Sequence, residues 1–482
     1  MIQSMENSKA NSVSDLVDRA RIAQKAWAAL DHRERSRRLR AVRATMALRA
    51  LEIAETLSKE TGKPVSDGLF EVASGCVMLG WVANNAHRHL TDQRVSSRPY
   101  IMKRGRVQYA PLGVIGIISP WNYPVGISMQ SLPFAVGAGN AVVFKPSELT
   151  PETGRLLAEC FAEAGEDLVV LADGGPSVGV DLVQSDIDKL VFTGSTGTGR
   201  KILTAAAERL LPVVVELGGK DAMIVCADAN LDAAVDAVVA AAFSNAGQTC
   251  MATERALVLD PVYDDFVDRV IQATRALRVW PGEDTQIGPI VQPERLEIIE
   301  SRLDDAQDRG AKIVAGGQRL AHGPGWFEPT VVVDVPTDAE LWTEESFAPV
   351  LSIARARDED EAVDLANASV FGLSGSIFTR SRSRADRLSR RLESGGVVIN
   401  DAVTGGALPG LTFGGVKQSG FGRLQGPEGL RELSRVTSVV SPVSMRLPSL
   451  IGMMFKLKRP PNSLIDSVLR ISYYRRGLRA GR

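Results

Sequence analysis

Short apolar runs alternate with helix-length stretches through the middle of the chain. Between residues 113 and 219 the apolar runs are GVIGIIS, AVVFKPS, DLVVLAD, KLVFTGS and PVVVELGG, and stretches of 9 to 15 residues with helical spacing lie between them. This alternation predicts a doubly wound, mostly parallel α/β sheet that binds its ligand at the carboxyl ends of the strands. The pattern restarts with AMIVCAD and continues to about Asn400, which predicts a second α/β domain.

The N-terminal part of the chain has a purely helical pattern. Apolar positions such as Leu16 and Trp27 recur at helical spacing, so residues 12–61 are predicted to form helices. Gly62 and Pro64 are helix-ending residues, and we expect the helices to stop there.

The composition is that of a soluble globular protein. The chain has 482 residues, of which 44% are hydrophobic and 23% charged, and its net charge of −1 gives no reason to expect nucleic acid as a partner. The N-terminus lacks the basic and apolar regions of a signal peptide. The four cysteines form no close Cys-x-x-Cys pair, which predicts reduced thiols in the cytoplasm and no metal site.

Cys250 differs from the other three cysteines in its surroundings. It ends the polar loop NAGQTC after an alanine-rich helix, whereas Cys76, Cys160 and Cys226 lie in apolar stretches. A thiolate needs polar donors around it, so Cys250 is a candidate nucleophile, with inert burial as the equal alternative on this pattern alone. No histidine lies in a comparable polar loop, which disfavours a cysteine–histidine hydrolase.

Glu216 ends a wholly apolar strand in the sequence VELGGK. Burial should raise the pKa of its carboxyl group and suit it to act as a base near neutral pH. An ion pair with Lys220 or another cation is the alternative, and this motif alone favours it.

Polar residues also follow two earlier strands. Asn122, in WNYP, carries an amide that could stabilise an oxyanion, although a turn-forming Asn before proline is the better interpretation of this motif alone. Lys145 and Glu148, in KPSE, would suit the hydroxyl groups of a nucleotide ribose or form a surface ion pair.

A glycine-rich loop, FTGSTGTGRK, joins a strand to a helix and could hold phosphate on helix-terminal N–H groups. Arg200 follows Gly199 where a P-loop requires lysine, and the Gly-x-Gly-x-x-Gly dinucleotide fingerprint is absent. The loop therefore predicts a phosphate contact without identifying the nucleotide.

Seven motifs in order give a sharper interpretation. WNYP, KPSE, FTGST, ELGGK, NAGQTC, EESFAPV and FGGVKQSGFGRLQGPEGL, spread from Val107 to Leu430, resemble the signature set of the aldehyde dehydrogenase superfamily. The resemblance implies that Cys250 is the nucleophile, Glu216 the general base, and Asn122 with the Cys250 backbone N–H the oxyanion hole. It also implies a set of cofactor-binding residues: Trp121, Lys145, Ser147, Glu148, Gly194, Ser195, Leu217, Gly218, Glu345 and Phe347.

The implied reaction is NAD-dependent oxidation of an aldehyde to its carboxylic acid through a cysteine thiohemiacetal and thioester. A carboxylate at Glu148 would repel a 2′-phosphate, which favours NAD and leaves NADP as an alternative. Two other functions stay open: a succinate-semialdehyde dehydrogenase specifically, and a non-redox thioester hydrolase that uses the same cysteine.

The resemblance also implies a domain layout. Residues 1–95 and 111–216 would form the NAD-binding domain and residues 217–400 the catalytic domain. Residues 96–110, with alternating polarity around a turn at 103–105, would form a hairpin that joins residues 401–442 in an oligomerisation arm. A homodimer or homotetramer is expected on this basis.

The last segment, residues 443–482, carries nine basic residues and one acidic residue among apolar ones. A helix from Ser463 would place apolar residues such as Leu464 and Val468 on one side, with arginines free to face water or anionic lipid. Packing on the protein body is the favoured interpretation, and peripheral membrane contact is the alternative, which would suit a lipophilic aldehyde.

Overall fold

The computed structural model describes residues 12–98, 100, 102–282, 285–446, 449, 452, 455–456 and 462–470. The chain forms two compact units, Met1–Thr91 with Tyr109–Val436, and Asp92–Gln108 with Thr437–Arg482. Most of the predicted tail segment, including Leu464 and Val468 as side chains and all of residues 471–482, lies outside the described residues.

Four helices and a hairpin come first. The helices are α1 Val13–Ala29, α2 His32–Leu48, α3 Ala50–Thr61 and α4 Val65–His89, and the hairpin strands are β1 Gln93–Val95 and β2 Lys103–Pro111. Gly62 ends α3 in the left-handed conformation, with φ of 74°, as expected for a helix-terminating glycine. The predicted helices over residues 12–61 are confirmed.

Alternating strands and helices follow. They are β3 Val114–Ile118, α5 Ser128–Gly137, β4 Ala141–Lys145, α6 Pro151–Phe161, β5 Val169–Leu171, α7 Pro176–Gln184, β6 Lys189–Thr193, α8 Thr196–Ala207 and β7 Val213–Glu216. The five strands are parallel in the order β7-β6-β3-β4-β5. The predicted doubly wound sheet is therefore confirmed, and all five carboxyl ends lie along the same edge.

A second sheet begins directly after the first. Its elements are β8 Asp221–Val225, α9 Leu231–Phe243, β9 Thr253–Leu259, α10 Tyr263–Arg275, α11 Arg295–Asp308, β10 Lys312–Ala315, β11 Thr330–Val333, α12 Glu340–Thr343, β12 Val350–Ala356, α13 Glu359–Asn367, β13 Phe371–Gly372, β14 Ser374–Phe378, α14 Arg382–Ser389 and β15 Gly396–Ile399. Seven of these strands pair in the order β10-β11-β12-β9-β8-β14-β15, while β13 pairs elsewhere. The two sheets have separate hydrophobic cores.

The last elements are β16 Val416–Lys417, β17 Gly420–Phe421, α15 Gly426–Glu432, β18 Ser434–Pro442 and a C-terminal helix α16, Asn462–Leu469. The helix predicted from Ser463 is confirmed in its position along the chain. The second compact unit contains a three-stranded sheet in the order β1-β2-β18.

The predicted arm is wrong in two respects, the position of its turn and the start of its C-terminal part. In β1 and β2, Val95 pairs with Gly105, so residues 103–105 lie within a strand and the chain reverses earlier, where the Tyr100 N–H donates to the Ser97 carbonyl at 2.7 Å. Residues 401–433 do not join the arm, because β17 pairs with β7 and the side chains of Leu424 and Leu430 are buried in the core of the first sheet, and the arm strand β18 begins only at Ser434.

Helix α4 was not predicted as an element. Its 25 residues include an 18-residue window with a mean hydropathy of 1.3, so among the described residues it alone has the length and composition of a membrane span. Several of its apolar side chains, including Val72, Leu79 and Val82, are buried in the first core, so packing accounts for much of this composition.

Candidate active site

The predicted polar residues lie along one edge of the first sheet. Asn122 follows β3, Lys145 ends β4, Ser195 follows β6 and Glu216 ends β7. Because these strands are parallel neighbours, their carboxyl ends bring the four residues to the same side of the molecule, where an open α/β sheet binds its ligand.

A tight loop carries Cys250 between α9 and β9. Asn245, Ala246 and Gly247 have φ values of 53°, 55° and 69°, so three successive residues are left-handed. A Cβ at Gly247 would lie 2.1 Å from the Ala348 carbonyl oxygen, so only glycine fits there. This winding turns the chain sharply out of α9.

The Asn122 amide is tied to the cysteine loop. Its Nδ2 donates to the Gln248 carbonyl oxygen at 3.0 Å, and the Asn245 Nδ2 donates to the Asn122 carbonyl oxygen at 2.9 Å. One amide N–H of Asn122 is thereby used for positioning, and the second is left for another acceptor.

Sequence reasoning missed a buried ion pair beneath Asn122. The Lys63 Nζ donates to Glu71 at 2.7 Å and to the Asn122 carbonyl oxygen at 2.6 Å, and both charged side chains are buried. Glu71 lies on α4, the helix that was not predicted, so no sequence signal placed it near Asn122.

Two cavities meet at Cys250. One, of about 260 Å³, contains residues predicted to bind the cofactor: Trp121, Gly194, Ser195, Leu217, Gly218, Glu345 and Phe347. The other, of about 410 Å³, contains Glu216, Tyr123, Met251 and Phe413. Cys250 lines both cavities and is half-buried.

Glu216 is buried and only partly hydrogen-bonded. Its Oε2 accepts from the Gly415 N–H at 3.2 Å, and its Oε1 has no partner. Burial raises the pKa of this carboxyl group from 4.5 to about 8, as its position at the end of an apolar strand predicts. The alternative ion pair with Lys220 is wrong, because Lys220 instead pairs with Glu254 in the second sheet.

Burial raises the pKa of all four cysteine thiols, and for Cys250 the nearby carboxyl groups of Glu345, Asp221 and Glu216 add to the effect. The pKa therefore does not single out a nucleophile. The surroundings of the four cysteines do distinguish Cys250, because Cys160 and Cys226 are buried and, among the four, Cys250 alone lines these two cavities.

A second positioning network holds Glu345 and Phe347. The Glu254 carboxylate accepts from the backbone N–H groups of Ser346 and Phe347 at 2.9 to 3.1 Å. The Glu345 Oε1 accepts from the Gly219 N–H at 3.2 Å, and burial raises the pKa of its carboxyl group to about 7. Glu254 lies within the buried strand β9, and a charged residue inside an apolar run such as ATERALVL is the sequence signal that could have revealed it.

The remaining predicted cofactor residues lie outside the 260 Å³ cavity, at the end of β4. The Lys145 Nζ is 3.5 Å from the Glu148 carboxylate, which is about half exposed. The Ser147 hydroxyl accepts from the Leu149 N–H at 3.2 Å, a turn contact that leaves its role toward a cofactor a prediction.

The edge of the first sheet fits a dinucleotide. Ser195 caps α8 by accepting from the Thr198 N–H, and a Cβ built at Gly197 meets no atom within 4 Å, so the first turn of the helix faces open space. Such a helix N-terminus attracts a pyrophosphate. In the described part of the chain, no group of three or more His, Cys, Asp or Glu side chains could hold a metal ion.

Two mostly parallel α/β sheets, and a cavity lined by Ser195, Glu345 and Phe347 at the edge of the first, fit a dehydrogenase that binds a nicotinamide cofactor. The family model of the aldehyde dehydrogenase family matches residues 1–439. The chain therefore belongs to the aldehyde dehydrogenase family.

Individual relatives agree with this assignment. The mitochondrial succinate-semialdehyde dehydrogenase of Arabidopsis thaliana is 36% identical, over 86% of this chain and 79% of its own. The 4,4'-diapolycopene aldehyde oxidase of a Methylomonas species is 35% identical, over 92% and 83%. The crystal structure of the NAD-dependent aldehyde dehydrogenase of Sinorhizobium meliloti superposes with a TM-score of 0.86 at 34% identity, over 91% and 88%.

The protein is thus an oxidoreductase that oxidises an aldehyde to its carboxylic acid with NAD, and NADP-dependent relatives exist. Nothing in these comparisons favours the thioester hydrolase considered above.

Proposed function

We propose that Cys250 is the catalytic nucleophile, Glu216 the general base and Asn122 the oxyanion donor. We call the cavity of about 260 Å³ the cofactor-side cavity and the cavity of about 410 Å³ the substrate-side cavity. The observation that carries the assignment is that Cys250 lines both of them. Glu216 lines the substrate-side cavity with an unpartnered oxygen, and Asn122 lines the other. The three groups thus surround one reaction centre.

The first step forms a carbon–sulfur bond. The Cys250 thiol loses its proton to solvent, and the thiolate adds to the aldehyde carbon while the carbonyl π electrons move to oxygen. The N–H of Asn122 that Gln248 does not use, together with the Cys250 backbone N–H, donates to this oxyanion. Each such donor stabilises the transition state by about 3 to 4 kcal/mol in comparable sites.

A nicotinamide cofactor held by Ser195, Glu345 and Phe347 would supply the hydride acceptor that turns the thiohemiacetal on Cys250 into a thioester. Glu216 takes a proton from water, and the hydroxide attacks the thioester carbon. The carbon–sulfur bond breaks, its electron pair returns to the Cys250 sulfur, and the carboxylic acid leaves. Burial suits Glu216 to this proton transfer, because a pKa of about 8 lets it accept the proton near neutral pH and release it to solvent afterwards.

The residues at the end of β4 support a preference for NAD over NADP. We assign Lys145 and Glu148 to the adenosine ribose, where the half-exposed carboxylate would accept from the 2′-hydroxyl and repel a 2′-phosphate. Lys145 lies 3.5 Å from that carboxylate and would tolerate a phosphate, so discrimination should be incomplete.

We further propose a cytoplasmic homodimer or homotetramer assembled through the second unit. Strand β18 is an edge of its three-stranded sheet, and its Val436 and Val440 side chains are 56% and 70% exposed. An apolar edge strand of this kind invites pairing with another copy. Peripheral membrane contact through residues 443–482 is supported by their basic and apolar composition.

NADH absorbance on aldehyde addition tests the catalytic assignment. Cys250→Ala should abolish turnover while cofactor binding, followed by tryptophan fluorescence, is retained. Cys76→Ala is the matched control, because Cys76 is the other cysteine that is not fully buried and lies on α4 outside both cavities. Turnover by Cys250→Ala would disprove the assignment.

A further inference from the structure

Among the residues that the structure describes, no lysine or arginine lines the substrate-side cavity beside Cys250. Its charged lining residues are all acidic: Asp67, Glu71 and Glu216. The neighbouring ammonium group of Lys63 is already bound to Glu71 at 2.7 Å. A carboxylate on the substrate would therefore lose its hydration without gaining a cation.

The acidic residues do not form a site for a cationic substrate either. The Glu71 carboxylate accepts from Lys63 and from two backbone N–H groups, at 2.9 and 3.1 Å, so its charge is balanced. The face of the Tyr123 ring, which could bind an ammonium group, holds the Lys63 Nζ at 4.3 Å from its centroid. The carboxyl groups of Asp67 and Glu216 are not balanced in this way, but burial raises the pKa of both and so disfavours their charged forms.

The remainder of the wall is largely apolar. It includes Phe70, Ile127, Met251, Val403 and Phe413. Phe70 both lines the cavity and is 75% exposed, so its ring stands at the opening to solvent. The Phe70 ring would therefore contact the apolar chain of a substrate as it enters the cavity.

The cavity has room for a long substrate. Its volume is about 410 Å³, and the groove of about 770 Å³ that shares Asp67, Ala240 and Ser244 with its wall is more polar and includes Asp236 and Arg278. We therefore expect the apolar chain of a substrate much longer than four carbons to lie within the first cavity and toward its opening at Phe70.

We propose that the substrate is a neutral aldehyde with a long apolar chain, and that Phe70 contributes to this specificity. The inference rests on the proposed function, because it places the aldehyde carbon at Cys250 and the chain along the apolar wall. It selects among the substrate classes that the family allows and opposes a specific succinate-semialdehyde dehydrogenase.

Steady-state kcat/KM with matched aldehydes tests the proposal. Saturated aldehydes of increasing length should improve by about fourfold for each added methylene until the cavity is filled. Butanal should exceed succinate semialdehyde, which has the same number of carbons, by about 100-fold. A higher kcat/KM for succinate semialdehyde, or for betaine aldehyde as the cationic probe, would overturn the proposal.

The Cys250→Ala control separates the two levels of inference. If turnover depends on Cys250 but follows a charged aldehyde, the catalytic assignment stands and the substrate class is wrong. If no aldehyde in the panel is oxidised by enzyme that binds NAD, both are wrong.

Two variants at one position test whether the lack of a basic side chain in the cavity wall disfavours a carboxylate on the substrate. Gln130 lines the cavity, and its side-chain amide donates a long hydrogen bond of 3.4 Å to the Gly406 carbonyl oxygen. Gln130→Lys should raise the ratio of kcat/KM for succinate semialdehyde over butanal by about 30-fold, because it supplies the absent positive charge. Gln130→Met, similar in size and uncharged, should not raise it. An equal ratio in the two variants would contradict the electrostatic argument.

Discussion

The ammonium nitrogen of Lys63 lies 2.6 Å from the carbonyl oxygen of Asn122, with both residues buried. Lys63 precedes α4, and Asn122 follows β3 in the first sheet. This contact therefore connects the start of a helix to the proposed oxyanion donor. Glu71 completes the arrangement by balancing the charge of Lys63 at 2.7 Å. The backbone position of the Asn122 amide thus depends on a buried ion pair that takes no part in the reaction.

Removal of Lys63 should affect catalysis more than substrate binding. In Lys63→Met, Glu71 is left buried without its cation and the Asn122 loop loses a hydrogen bond, so we expect kcat to fall by about 10- to 100-fold with a smaller change in KM. Breaking a buried pair in this way should also cost about 3 to 5 kcal/mol of stability. Steady-state kinetics and thermal unfolding measure the two effects.

The double variant Lys63→Met/Glu71→Gln distinguishes positioning from folding. Removing both charges should recover part of the stability, because no uncompensated charge is left, but it should not restore kcat. A double variant with wild-type kcat would show that the pair is only structural.

The pH dependence of turnover should report Glu216. Burial raises the pKa of this carboxyl group to about 8, and the deprotonated form acts as base, so a rate limited by thioester hydrolysis should rise with pH below about 8 and level off above it. At pH of about 6 the acyl-enzyme on Cys250 should accumulate, as measured by intact-protein mass spectrometry. Glu216→Gln should accumulate it at every pH; rapid hydrolysis in that variant would exclude Glu216 as the base.

Much of the fold around the candidate site was predictable from the chain itself. Strands and helices between residues 113 and 259 follow the apolar pattern closely, because each strand is buried on both faces. The motifs selected Cys250, which lines both cavities, and the position of Glu216 at the end of an apolar strand predicted that burial raises its pKa.

The positioning groups and the arm boundaries were not predictable in the same way. Lys63 and Glu71 acquire their roles through contacts with a loop about 50 residues away, and α4 lacks the simple one-sided pattern of a surface helix because many of its positions are buried. The end of the arm was misplaced because Leu424 and Leu430 return to the first core, a tertiary contact that local polarity does not encode.

Glu216 should also affect the pH dependence of stability. Its pKa is raised from 4.5 to about 8 in the folded protein, so between these values the unfolded chain binds fewer protons than the folded one. Its contribution to stability therefore falls as pH rises through this window. Relative to wild type, Glu216→Gln should gain thermal stability progressively from about pH 5 to about pH 8. A difference in Tm that does not change with pH would contradict the raised pKa.

Cofactor preference should respond to Glu148. Glu148→Gln keeps the size of the side chain and removes the charge that would repel a 2′-phosphate, so we expect kcat/KM for NADP to rise by about tenfold relative to that for NAD. Glu152→Gln is a suitable control, because Glu152 is on the next helix and pairs with Arg155 at the surface. An unchanged NAD-to-NADP ratio in Glu148→Gln would remove this residue from the cofactor site.

A single methyl group at Gly414 should disturb the base without removing it. Gly414 has φ of 149°, and a Cβ there would lie 2.7 Å from the Glu216 Oε1 and 2.9 Å from the Gly422 carbonyl oxygen. Gly414→Ala must therefore displace the carboxyl group or strain the loop, and we expect thioester hydrolysis to slow by about tenfold or more. Gly405→Ala, where the new Cβ would meet only the Val398 side chain at 3.6 Å, is the matched control. Rapid-quench measurement of acyl-enzyme decay compares the two variants, and equal decay rates would show that the packing of Gly414 against Glu216 does not position the base.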